Sequence, residues 1–78
     1  MSNLTQLQQA QQYQLNSQVY CHASLAIAKR MYEVRPAKTT PDWDAYIAAH
    51  EEVLVAAEEH ADNYVYATQL VKRFQHQA

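Results

Sequence analysis

The sequence predicts an all-α protein, a long antiparallel helical hairpin, and three observations predict it. The chain of 78 residues contains no glycine, and its only prolines, Pro36 and Pro41, stand close together near the middle. On either side of them apolar residues recur at steps of three and four, the period of an amphipathic helix. A hydrophobic content of 49% excludes ordinary disorder. Glycine-dependent hairpin turns, phosphate-cradling loops and the nucleophile elbow of the α/β-hydrolases all fail for want of a single glycine.

The first helix is expected over about 4–34, as one part of a single domain spanning 1–78. Thr5 and Gln8 have the spacing of a capping box, in which each side chain satisfies the other's backbone N–H. Pro36 ends the helix, because it disfavours α geometry at Arg35 and has no N–H to donate. Residues 35–40 form the bend. The second helix is expected over about 41–76, with Thr40 as N-cap, Pro41 in the first helical position, and Asp42 and Asp44 where the helix dipole favours negative charge. Lys72 and Arg73 lie near its C-terminal end, where cations are favoured. Asn16-Ser17 and Asp62-Asn63 are the weak points. A break near 62–63 would give the alternative architecture, a compact three-helix monomer.

Along the second helix Trp43, Tyr46, Ile47, His50, Val53, Leu54, Ala57, Ala61 and Tyr64 share one side, continued by Ala67, Leu70, Val71 and Phe74. The first helix carries two apolar stripes: Tyr13, Tyr20, Ser24, Ile27 and Met31, and beside them Leu7, Ala10, Cys21, Leu25, Ala28 and Tyr32. One neighbouring helix cannot cover both. A second copy of the chain can, giving a homodimeric four-helix bundle with Tyr13, Tyr20, Ile27, Met31 and Leu25 as the expected dimer interface. In element lengths this resembles the dimeric helical-hairpin bundle of the plasmid RNA-binding protein Rop; no motif is shared, and no residue role is carried over.

The net charge of -2 conceals a strong segregation. Residues 1–28 hold no Asp, Glu, Lys or Arg, Lys29, Arg30, Arg35 and Lys38 surround the bend, and every acid from Asp42 to Asp62 stands without an intervening cation. Four cations beside such an acidic block make a poor footprint for a polyanion, so direct nucleic-acid binding is not expected. The acids Asp44, Glu51, Glu52, Glu58, Glu59 and Asp62 instead spread along roughly 27 Å of one helical face. Val55 and Tyr66 project on that side, and Trp43 stands beside the bend, each a candidate anchor for a protein partner.

Metal and nucleophilic chemistry find no suitable spacing. Cys21 and His22 point about a hundred degrees apart on a helix, and His50 and His60 are separated by about 15 Å along the axis. Cys21 lies mid-helix with no adjoining cation, which suits an inert, buried thiol rather than a nucleophile. No catalytic residue, cofactor or metal is therefore expected. No run of residues suits a membrane span or a secretory leader, and a lone cysteine fits a reducing, cytoplasmic setting. The expected function is that of a small non-enzymatic protein-binding module. It would bind and modulate, as an inhibitor of the phage or mobile-element type acting in the host cytoplasm, a larger cytoplasmic protein. The alternatives are an acidic nucleic-acid mimic that blocks a basic DNA- or RNA-binding site, and an RNA-binding helical bundle.

Overall fold

A computed structural model of the chain describes residues 5–77. It contains two helices, α1 (Gln6–Glu33) and α2 (Asp42–Gln77), packed against each other as a hairpin. The capping box at the start of α1 is formed: the Thr5 N–H donates to Gln8 Oε1 at 2.9 Å, and the Gln8 N–H donates to Thr5 Oγ1 at 3.1 Å. A helix start at residue 4, as the sequence suggests, lies outside the described residues. At the other end the Val34 N–H still donates to the Arg30 carbonyl, at 3.2 Å, before Pro36 prevents continuation.

The bend closes differently from the expected cap. The Thr40 hydroxyl donates to the Ala37 carbonyl at 2.7 Å, and the Thr40 N–H donates to the same oxygen at 3.0 Å. The Thr40 carbonyl then accepts from the Trp43 N–H at 3.2 Å. Thr40 thus ties the bend to itself, and α2 begins at Asp42 with Asp42 and Asp44 in its first turn. From there α2 runs for 36 residues, straight through Asp62-Asn63. Likewise α1 passes Asn16-Ser17 without interruption. The break that a three-helix monomer requires is therefore not present. An Asn or Asp in mid-helix competes for backbone groups only weakly when its side chain points to solvent, and Asn16, Asp62 and Asn63 are all exposed.

The covered residues of α1 are Leu7, Ala10, Gln14, Ser17, Cys21, Ser24, Ala28 and Met31. Their spacing alternates strictly between three and four. Trp43, Tyr46, His50, Val53, Ala57, His60, Tyr64, Ala67, Val71 and Phe74 of α2 follow the same alternation. A mean step of 3.5 on a 3.6-residue helix is the repeat of a left-handed coiled coil, so the two helices form an antiparallel coiled-coil pair. The seam of α1 consists mostly of Ala, Ser and Cys, whereas the aromatic rings come from α2. Small side chains facing large ones allow the axes to approach closely. The buried apolar set is accordingly Ala10, Ala28, Ala57, Ala67 and Val71, with Ser17 the one buried polar residue among those described.

This seam divides the expected apolar stripes of α1. Met31, Cys21, Ala10, Ala28 and Leu7 are used within the chain, while Tyr13, Tyr20, Ile27, Leu25 and Tyr32 remain largely exposed. On α2, Ile47, Leu54 and Ala61 likewise fall outside the covered seam. A polar tie crosses it: Gln14 Nε2 donates to Thr68 Oγ1 at 2.9 Å, and that hydroxyl donates to the Tyr64 carbonyl at 2.8 Å. The result is a slab of 59 × 25 × 15 Å, one helix thick, with two broad flanks and no deep interior.

Candidate functional site

With the seam fixed, every other position has a place. Lys29, Arg30 and Glu33 of α1, and Asp44, Glu51, Glu52, Glu58, Glu59, Asp62, Lys72 and Arg73 of α2, project from the outer edges of the slab and are exposed. The flanks beside the seam are different. One carries Tyr13, Tyr20 and Ile27 from α1 and Ala49, Ala56, Asn63 and Leu70 from α2; Tyr13 and Leu70 border a common shallow groove there. The other carries Gln18, Leu25 and Tyr32 from α1 and Ile47, Leu54 and Ala61 from α2, with Gln18 and Ala61 bordering a groove that reaches Cys21 and Tyr64. Among the described helical residues, Asp42 is the one charged side chain at a flank position. Two-stranded coiled coils normally place charge at these positions.

The acidic edge of α2 contains a shallow depression of about 500 Å³ lined by Ala48, Glu51, Glu52, Val55, Ala56 and Glu59. Val55 thus lies among three carboxylates, with Ala48 and Ala56 also lining the depression. Asp44, Glu58 and Asp62 extend the same acidic edge without lining that depression. The other two anchor candidates are placed elsewhere. The Tyr66 ring meets the Tyr13 ring edge-on, with centroids 6.4 Å apart, which draws it from the acidic edge toward the tyrosine flank. Trp43 belongs to the seam, half-buried, its ring 5.3 Å from that of Tyr46, which in turn lies 5.4 Å from His50. A tyrosine also covers His60: the Tyr20 ring lies 5.5 Å from it.

Around the bend the cations are engaged by their own chain. The Arg35 guanidinium lies 4.0 Å from the Tyr32 ring centroid and donates to the Tyr32 carbonyl at 2.8 Å. Lys38 Nζ lies 5.7 Å above the Trp43 ring, and Arg30 pairs with Glu33 at 3.4 Å. Aromatic faces and Glu33 thus hold three of the four cations that surround the bend. Both pairings were legible in outline, since Tyr32 and Trp43 flank the bend in sequence and cations are drawn to ring faces.

Among the described residues, no three His, Cys, Asp or Glu side chains come together in a group that could hold a metal ion. Cys21 is half-buried in the seam. No described helix is long and apolar enough to cross a membrane. The five residues expected at a dimer interface are divided by the fold: Tyr13, Tyr20 and Ile27 lie together on one flank, Leu25 lies on the opposite one, and Met31 is in the intrachain seam. Comparison with family models, with curated proteins and with solved structures returns no match for this chain.

Proposed function

We propose that the chain is a small, non-enzymatic protein-binding module that works as a homodimeric four-helix bundle. It presents the acidic edge of α2 to a basic surface on a larger cytoplasmic protein and inhibits it by occupying that surface. The observation that carries this reading is the separation of the molecular surface by chemistry, with charge on the outer edges and uncharged, largely apolar side chains on the flanks. Largely uncharged flanks suit burial against another helical layer, and the acidic edge, apart from the rim that it shares with the tyrosine flank at Ala56, remains available when the flanks are covered. An inhibitor of this kind suits a phage or mobile element, for which a short chain acting by occupancy is sufficient.

Val55, set among Glu51, Glu52 and Glu59, favours recognition by a protein groove over pure charge mimicry, because an apolar anchor inside a polar ring is how protein interfaces concentrate their binding energy. The test is capture of the partner with tagged protein, followed by affinity measurements on variants. Val55→Ser is expected to weaken binding more than any single acid-to-amide substitution, and Tyr66→Ala is expected to leave it nearly unchanged. A graded, additive loss across Glu51→Gln, Glu52→Gln, Glu58→Gln and Glu59→Gln, indifferent to Val55 and abolished by moderate salt, would instead establish the nucleic-acid-mimic alternative. The RNA-binding alternative draws less support, since Arg30, Arg35 and Lys38 already have partners within the chain.

A further inference from the structure

Taking the dimer reading as its premise, we infer that the second copy docks on the tyrosine flank, with its α1 laid over α2 of the first and both bends at the same end. The chain needs such a layer. It exposes 6132 Å², whereas a compact monomer of its mass exposes about 4,850 Å². The excess of roughly 1,300 Å² per chain matches what one partner contributes to a large dimer interface. Apart from Asp42, at the bend end of the tyrosine flank, neither flank carries charge among the described helical residues, so shape must choose between them. On the tyrosine flank, at the level of Tyr20 and Ile27, the bulk is on α1: these two stand more than half exposed as a ridge, while Tyr66 and Leu70 of α2 lie farther from the bend, at the height of Tyr13. The facing positions of α2 are small, Ala49 and Ala56. A ridge on one helix beside a trough on the other complements a second copy only if α1 of each chain lies over α2 of its partner.

A two-fold axis parallel to the helices does this, and it leaves no freedom to slide one chain along the other. The heights are then set by the chain itself. Because Tyr20 is level with His60 and Tyr13 with Tyr66, the second copy's Tyr20 comes down between Ala56 and Asn63, and its Ile27 between Ala49 and Ala56. A two-fold axis across the helices would press ridge on ridge. On the opposite flank Leu25 and Tyr32 face Ile47 and Leu54, with bulk on both helices, and the groove of that flank is confined to the stretch between Gln18 and Ala61.

The test uses the whole chain with Cys21→Ser as background. Light scattering of that protein is expected to give twice the chain mass of 9.0 kDa. Ala49→Arg is expected to halve it, whereas Ala61→Arg, on the other flank, is expected to leave it unchanged, with helix content equal in both. Mixing an Ile27→Cys chain with an Ala56→Cys chain under mild oxidation is expected to give the mixed disulfide faster than either self-pair. Rapid self-pairing of Ile27→Cys would overturn the assigned polarity, and loss of the dimer in Ala61→Arg alone would overturn the assigned flank. A parent protein that is monomeric at all concentrations removes the dimer reading itself, which separates that failure from a wrong choice of flank.

Discussion

Ala67 is the residue with no exposed surface at all, and its neighbours in the seam are nearly as well covered. A methyl group buried at the contact of two helices contributes little transfer free energy, on the order of 1 kcal/mol. Its importance lies in what it keeps out. Ala67→Leu adds three carbons at a fully covered position of the seam, and is expected to cost roughly 1–3 kcal/mol as the helices are forced apart. A lowered urea midpoint with an unchanged slope is the outcome that checks it. At the chain's start Thr5 acts locally. Thr5→Ala removes the acceptor for the Gln8 N–H and is expected to cost about 1 kcal/mol of first-turn stability. Amide exchange should speed up at Gln8 while remaining unchanged at Ala57.

The two helices and their order were legible in the sequence because caps and breakers are chemical signals of single residues. Thr5 with Gln8, Pro36, and Asp42 with Asp44 each mark a boundary, and in the structure α1 starts one residue after Thr5 and ends three before Pro36, while α2 starts at Asp42. The seam of α1 was much less legible. The sequence places Ala10, Ser24 and Ala28 in its two stripes beside Tyr13, Tyr20 and Ile27 without showing which of them meets α2, and it gives Gln14 and Ser17 no place there; the helices meet through Ala10, Ser17, Ser24 and Ala28. Those residues are weakly hydrophobic but small, and closeness of approach outweighs hydrophobicity where the facing helix already supplies the rings. The 3-4 alternation was present all along, once Gln14 and Ser17 are admitted to it. Gln14 has a reason to be there, since its bond to Thr68 is a polar tie between helices. A double-mutant cycle with Gln14→Ala and Thr68→Ala is expected to return a coupling of about 0.5–1.5 kcal/mol, measured by urea unfolding. The unbroken course of α2 makes a separate prediction. Exchange at Asp62 and Asn63 should be as slow as at Glu59 and Val65, and a fast-exchanging pair there would count against a continuous helix.

For the molecule as a whole, thickness decides the behaviour. A slab 15 Å deep has almost no atoms that are remote from water, and a chain of this size buries too small a fraction of its surface to be robust alone. If the flank pairs as argued, the folded state is stabilised by mass action, and the thermal midpoint should rise by several degrees over a hundredfold increase in protein concentration. A midpoint independent of concentration, measured by circular dichroism over that range, would assign all of the stability to the single hairpin. The candidate binding site belongs to this scale as well. The sequence showed the acids as a row, but only the fold separates Val55, which lies among them, from Tyr66, which is drawn away by Tyr13. That distinction depends on a ring contact between residues far apart in sequence, which no local pattern records. The far end of the slab carries one more consequence. Thr5, Gln6 and Leu7 lie beside Phe74 and Gln77, so a short polar tether could join the two helices there while the chain is opened at Pro36 to Pro41. Such a circular permutant should keep the seam, the flanks and the acidic edge intact, because what this architecture specifies is a pairing of two rods and not the direction in which the backbone visits them.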